Sequence, residues 1–354
     1  MNNSLILYLR NEENINEFRT PLIPNDIKKL IYYGFNVYVQ SSKNRIYNDN
    51  EYIDCGAIIT NLKWHNKLFN NALIIGLKEI EDIDKLSNHK HVYFSHSYKN
   101  QLNSDIILNE FYKSSSIIYD FEFFLNENNK RIIAFGFYAG ISGCLLSLLQ
   151  FYNKTNNLND INNLKPWNSL QNIIDHIKLY NFNNIKIAII GHNGRCGSGV
   201  KKILNLLNLK YSSFNKDISQ SEILSLKEYD ILFNCITLDK SYNIEWFNSK
   251  TNFNKNIIIN DISCDYNKDN NPIKLYNNFT TWEEPIFKHN KFVDIIAINN
   301  LPSLLPKESS NEFSAIFYEL LIDYNNDSKN YWKNNLQIFN DIIEKNENLK
   351  VSII

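Results

Sequence analysis

Along almost the whole chain, short apolar runs alternate with stretches in which apolar residues recur every three or four positions. In the first 135 residues, Leu5 to Leu9, Phe35 to Val39, Leu73 to Leu77, Val92 to Ser95 and Ser116 to Tyr119 read as strands. Pro24 to Leu30 reads as a helix, its proline at a first-turn position where no N–H is needed. Such alternation builds a parallel sheet covered on both faces. A second series of strands follows, at Ile187 to Ile190, Tyr211 to Asn215, Asp230 to Cys235, Ile257 to Ile262 and Asp294 to Ile298. The closing helices, Glu308 to Asp323 and Asn330 to Glu344, carry apolar faces and are expected to return to the first sheet. Between the two series, Ile132 to Asn153 holds no charged residue and is long enough to span a bilayer. Gly136, Gly140, Gly143, Ser142, Ser147 and Gln150 interrupt it, so it reads as a buried strand, a glycine turn and a helix joining two domains.

The second series opens on Lys186 to Val200, KIAIIGHNGRCGSGV: a strand, a tight turn and then a helix with Val200, Ile203, Leu204 and Leu207 on one face. Gly191, Gly194 and Gly197 let the backbone approach a pyrophosphate, and the first N–H groups of the helix point at its charge. Asp217 follows the next strand, 20 residues past Gly197. A carboxylate there accepts the ribose hydroxyls of NAD and repels the extra phosphate of NADP. The competing reading is a glycine-rich turn of any wound domain with Asp217 an ordinary surface acid. The predicted fold is α/β, two doubly wound (Rossmann-like) domains flanking a cleft. Residues 1–135 with 308–354 would form a substrate and catalytic domain, and 136–307 an NAD-binding domain. In such a sheet Asp230 to Cys235 returns beside Ile187 to Ile190, bringing Cys235 near Cys196 as a candidate disulfide pair, with Cα atoms more than about 7 Å apart excluding the bond and the pair's oxidation state left open by the sequence.

At 354 residues, 44% hydrophobic, the chain can build two cores. A net charge of -1 argues against a nucleic-acid surface. Five scattered cysteines without CxxC spacing point to a reducing compartment and no metal site. The N-terminus lacks a secretory signal pattern, so a cytoplasmic protein with small-molecule partners, off the membrane and monomeric, is expected. The abundance of Asn, Ile, Lys and Tyr is read as a genome bias, and the Asn-rich stretch Asn153 to Asn163 as a solvated connector.

Ligands of open α/β sheets bind at the carboxyl ends of strands, so strand-end residues are the chemical candidates. Lys78 and Glu79 follow Leu73 to Leu77, His96 follows Val92 to Ser95, and Asp120 and Glu122 follow Ser116 to Tyr119. A partly desolvated lysine serves as a base near neutral pH, and histidine is the side chain best suited to shuttle a proton there. Arg19 and Arg131 border elements with no acid at the adjoining positions, which suits a bidentate grip on a substrate carboxylate. Glu122 either tunes the site's protons or pairs with one of those arginines. The plain alternatives are surface ion pairs and a structural histidine.

Several strings, in order from about Arg10 to Ser309, resemble the NAD-dependent, lysine-forming saccharopine dehydrogenases: PNDIKKLIYYGFNVYV, EYIDCGAII, IIGLKEI, FSHSYKNQ, YDFEF, RIIAFGFYAG, IIGHNGRCGSG, FNCI and LPSLLPKE. Alanine dehydrogenases are more distantly similar. The resemblance implies oxidative cleavage of saccharopine to lysine and 2-oxoglutarate with NAD as cofactor. It implies Lys78 as proton acceptor and His96 as proton donor, with Glu79 and Glu122 adjusting their basicity. Arg19, Gln101, Arg131, Phe135, Ser263, Cys264 and Asp265 would line the substrate. Gly194, Arg195, Asp217, Ser221, Thr237, Ile262 and Ile298 to Leu301 would contact NAD, with Lys130 at a position where the family can carry arginine. Asn299 and Asn300 stand where the family carries an Asp-His pair, although amides still hydrogen-bond a ribose or carboxamide. The competing expectations are an alanine-type amino-acid dehydrogenase and a nucleotide-binding protein whose chemistry has decayed.

Overall fold

The computed structural model describes residues 5–98, 103–238, 241–266 and 268–346. The chain divides into two compact units, Met1–Ala134 with Ser309–Ile354, and Phe135–Glu308.

In the first unit the strands are β1 (Ile6–Leu9), β2 (Asn36–Gln40), β3 (Ile58–Thr60), β4 (Leu73–Ile75), β5 (Lys90–Tyr93) and β6 (Ile117–Asp120). They form one sheet in the order β3-β2-β1-β4-β5-β6, every neighbouring pair parallel. The central strands are apolar runs because helices cover both faces of a parallel sheet. The helices α1 (Pro24–Tyr32), α2 (Asp49–Asp54) and α3 (Ser104–Lys113) lie between strands, and α2 opens on a capping box of Asn48 and Glu51. Tyr8, Phe69, Ile74, Tyr93 and Phe111 form one core.

The second unit runs α4 (Gly136–Thr155), α5 (Leu170–Ile177), β7 (Ile187–Ile190), α6 (Arg195–Leu206), β8 (Ser212–Phe214), α7 (Gln220–Leu226), β9 (Ile231–Asn234), β10 (Ile257–Asp261), β11 (Phe287–Lys288) and β12 (Val293–Ile296). Its sheet order is β11-β12-β10-β9-β7-β8, parallel except for the two-residue edge strand β11. The chain then forms α8 (Pro306–Ile322) and α9 (Tyr331–Lys345). Ser310 and Ser314 of α8 accept the N–H groups of Thr20 and Ile23 at 2.9 Å each, and Phe313 and Phe317 pack edge-on against Phe121. From α9, the amide of Asn335 pairs with the backbone of Asp120 at the end of β6.

The strand and glycine turn expected inside Ile132 to Asn153 are absent. Gly136 instead begins a 20-residue helix, in which Gly136 and Gly140 make room for a neighbouring helix rather than for a bend. A Cβ on Gly140 would lie 1.9 Å from the carbonyl oxygen of Cys196 on α6, and one on Gly199 of α6 would lie 2.0 Å from the carbonyl oxygen of Phe137. The two helices therefore cross backbone to backbone, and the absence of charge in α4 before Lys154 reflects burial. Among the described residues no helix is long and apolar enough to cross a membrane. The helix also takes in Asn153 to Thr155 of the expected connector, and Asp160 beyond it accepts from the buried side chain of Gln150 at 2.7 Å.

Candidate active site

In the first unit, β1, β4, β5 and β6 are neighbours, so the segments leaving their carboxyl ends gather at one sheet edge. After β1 come two buried charged residues, Arg10 and Glu12. The carboxylate of Glu12 accepts the backbone N–H of Leu77 at 2.6 Å and of Lys78 at 2.9 Å. The guanidinium of Arg10 donates to the carbonyls of Lys78 and, at 3.1 Å, of Glu79. Lys78 itself is half-buried and Glu79 exposed. Burial pushes the Glu12 carboxyl up from its ordinary value, against the lowering effect of Arg10 and the two N–H donors.

Arg19 is not free for a substrate as its immediate neighbours suggested. Glu17, two residues earlier, grips it bidentately, with Nε to Oε1 at 2.7 Å and Nη2 to Oε2 at 2.6 Å, both side chains buried. Burial acts to raise the Glu17 carboxyl, but Arg19 and, more weakly, the charge of Lys78 hold it below the ordinary range. The amine of Lys78 is thus electrostatically tied to the Glu17–Arg19 pair. Arg131 pairs with Glu122 at 3.1 Å, one of the two roles expected for Glu122.

His96 is not at the end of its strand. β5 stops at Tyr93, and His96 stands three residues on with φ 51°, in the left-handed region, where a non-glycine residue needs support from its surroundings. That support comes from Asp120: Oδ2 accepts the hydroxyl of Ser95 at 2.6 Å and its N–H at 3.3 Å, and Ser95 Oγ lies 2.8 Å from Ser97 Oγ. The other oxygen of Asp120 accepts the N–H of Glu122 at 2.8 Å. One buried carboxyl thereby fixes the turns carrying both His96 and Glu122, and burial pushes it up to about 6. Gln101 lies outside the described residues. Lys130 is exposed, in a turn closed by Asn126.

In the second unit the turn after β7 has the form a pyrophosphate requires. Gly191 has φ 82°, and a Cβ there would meet the carbonyl carbon of Cys235 at 2.8 Å. A Cβ on Gly197 would lie 2.5 Å from Cα of His192. Gly194 precedes α6 without a capping side chain, and a Cβ on it would meet nothing nearer than 3.5 Å, so its outer side is open to a ligand that the helix N–H groups can hold. These residues fit a bound dinucleotide. Asp217 is exposed just beyond β8, Ser221 lies in the first turn of α7, and Thr237 is exposed past β9. Ile262 and Ile298 are buried beyond β10 and β12, and Arg195 and Phe135 open α6 and α4.

The segment after β10 centres on Asp261, which accepts from Asn234 at 2.8 Å, Tyr276 at 2.6 Å and the N–H of Cys264 at 3.2 Å. Burial pushes its carboxyl up to about 6. Ser263 donates to the carbonyl of Ile236, and Asp265 pairs with Lys268 at 2.8 Å. Asn299 is exposed, whereas Asn300 is buried beside Leu301 and its side-chain oxygen accepts the indole N–H of Trp282 at 2.6 Å. The Cys196–Cys235 disulfide is not formed. Cys196 Sγ lies 3.5 Å from where a Gly136 Cβ would stand, towards α4, while Cys235 is buried behind Gly191.

Arg10, Glu12, Glu17 and Asp261 were missed in the sequence, whereas Asp120 stands out there as a strand-end residue. Arg10 follows β1 and Asp261 closes β10, so their strand-end positions are the signal that points to them. Glu12 and Glu17 stand out only once the fold brings them to Lys78 and Arg19.

Two wound sheets, one carrying a glycine turn before a bare helix N-terminus, make a two-domain fold of the alanine dehydrogenase kind with a turn fit for a dinucleotide. A family model for the alanine dehydrogenase/PNT N-terminal domain matches residues 8–142, and a solved L-alanine dehydrogenase has the same fold at a TM-score of 0.70 with 13% identity, covering 95% of this chain and 100% of that one. A saccharopine dehydrogenase [NAD(+), L-lysine-forming] from Candida glabrata is 33% identical over 88% of this chain and 89% of its own length. The corresponding protein of Schizosaccharomyces pombe is 29% identical over 96% of this chain and 98% of its own. The chain belongs to the NAD-dependent, L-lysine-forming saccharopine dehydrogenase family.

Proposed function

We propose that this protein catalyses the reversible NAD-dependent oxidative cleavage of saccharopine to L-lysine and 2-oxoglutarate, with Lys78 as base and His96 as acid. One observation supports the residue assignment above the rest: Lys78, His96 and the Glu122–Arg131 pair leave the carboxyl ends of three adjacent parallel strands, β4, β5 and β6. NAD, when bound, supplies the acceptor for the hydride that leaves the glutamyl carbon of the substrate. Lys78 takes the proton from the secondary amine as the carbon–nitrogen double bond forms. Water then adds to that carbon, and its proton is removed by a basic group as the carbinol forms. His96 gives a proton to the departing lysine nitrogen as the carbon–nitrogen bond breaks and the 2-oxoglutarate carbonyl forms. The sum consumes one water and one NAD and releases one proton.

Arg131 and Arg19 provide positive charge for the substrate's carboxylates. Arg19 acts from within its pair with Glu17, so its contribution is electrostatic unless that pair opens. In the second unit, Gly191, Gly194, Arg195, Gly197, Asp217, Ser221, Thr237, Ile262 and Ile298 to Leu301 hold NAD, Asp217 selecting against the phosphate of NADP. Ser263, Cys264, Asp265 and Phe135 are assigned to the substrate. The enzyme is read as a cytoplasmic monomer, for which light scattering at the mass of one chain is the test. NADH formation with saccharopine, set against alanine, tests the activity: saccharopine-dependent formation is expected, and turnover of alanine alone would favour the alanine-type reading.

A further inference from the structure

We propose that Arg10 and Glu12 are positioning residues for the amine of Lys78, a proposal that rests on Lys78 being the base. The two are buried in opposite charge but spend little geometry on each other. Their closest ion-pair distance is 3.6 Å, against 2.6 and 2.9 Å from Glu12 to the N–H groups of Leu77 and Lys78 and 3.1 Å from Arg10 to the carbonyl of Glu79. A pair serving only its own neutralisation would close to a short bidentate contact, as Glu17 and Arg19 do. Instead Glu12 takes the N–H groups of Leu77 and Lys78, and Arg10 takes the carbonyls of Lys78 and Glu79. The bonds all go to backbone groups, so the clamp fixes the backbone of Lys78 without engaging its amine.

Gly76 completes the device. A Cβ there would lie 2.0 Å from Nε of Arg10, so the guanidinium occupies the space a side chain would fill. Arg10 is also backed by the ring of Tyr93, 5.8 Å from its centroid. β4 ends at Ile75, and the backbone ladder to the β5 side runs on only through Gly76, which donates to Val92 at 3.1 Å, and Leu77, which accepts from Phe94 at 3.2 Å, so the clamp takes over where Lys78 begins. Misplacing a catalytic group by about 1 Å costs on the order of a hundredfold in rate.

The test is a double-mutant cycle of Glu12→Gln and Lys78→Met, read as kcat/KM for saccharopine across pH, with NAD affinity and the urea midpoint measured alongside. Glu12→Gln alone is expected to lower kcat/KM by about 10- to 100-fold, shift its pH profile and leave NAD affinity unchanged. Added to Lys78→Met it should cause no further loss. A full further loss in the Lys78→Met background overturns the proposal while leaving the base assignment standing. So does a folded Glu12→Gln with the wild-type rate and pH profile. If Lys78→Met is itself without effect, the base assignment fails and takes the clamp's role with it. Should Glu12→Gln not fold, Glu12→Asp, which keeps the charge but withdraws it by one methylene, goes through the same cycle with the same criteria.

Discussion

Lys78 and Asp217 carry the two residue-level assignments most open to test. Lys78→Met keeps the length of the side chain and removes its proton acceptor. It is expected to lower kcat about a hundredfold or more, the usual range for an acid–base group, with NAD affinity unchanged by fluorescence titration. Asp217→Ser removes the carboxylate that excludes the NADP phosphate and should raise the NADP-to-NAD ratio of kcat/KM about tenfold or more, equivalent to about 1.4 kcal/mol. At this scale the sequence was legible where a residue type has one use, as with three glycines and an acid 20 residues on. It was less legible where the use depends on a partner brought by the fold. Arg19 looked unpaired because the eye checks the adjoining positions, while the backbone turns Glu17 back on it from two residues away. Nothing near Asn300 in the sequence shows that its oxygen accepts from the indole of Trp282, 18 residues earlier.

Among the elements, α4 departs furthest from its sequence reading. Glycine is ambiguous because one property, the missing Cβ, serves both a tight turn and a close helix crossing. Gly191, with φ 82°, uses the first and Gly140 the second. Gly140→Ala should therefore destabilise the second unit by about 1–3 kcal/mol, the range for overpacking, seen as a lower urea midpoint. Gly143→Ala is expected to cost less, since its nearest neighbour is the flexible end of Ile262 at 3.0 Å and not a backbone carbonyl. The strands of both sheets were legible from their apolar runs, since a strand buried on both faces admits little else. The short pieces β3 and β11 were not: one is a three-residue edge strand and the other a two-residue one, too brief for any periodicity.

Across the whole molecule, buried titratable groups give stability a pH dependence of mixed sign. His91 is buried among Trp64, Tyr93 and Phe111, and desolvation, then the charges of Arg10 and His89, hold it well below 6.5. His89 is lowered as well, chiefly by burial. Below about 6.5 the unfolded chain takes up protons that the folded one refuses, so stability falls as the pH drops through that range. Asp120 and Asp261, raised to about 6, act oppositely: the folded protein holds their protons between about 4 and 6, so their contribution is lost as pH rises through that window. His91→Leu should flatten the acid-side loss of urea-midpoint stability between pH 6.5 and 5, and Asp120→Asn should steepen it. An unchanged acid limb in His91→Leu would show that His91 does not carry this loss.

All of these expectations sit beneath one claim, that the chain oxidises saccharopine with NAD. Purified protein mixed with saccharopine and NAD should produce NADH together with equal amounts of lysine and 2-oxoglutarate, and alanine in place of saccharopine should give none. No saccharopine-dependent NADH from folded protein that binds NAD, or turnover of alanine instead, would contradict it.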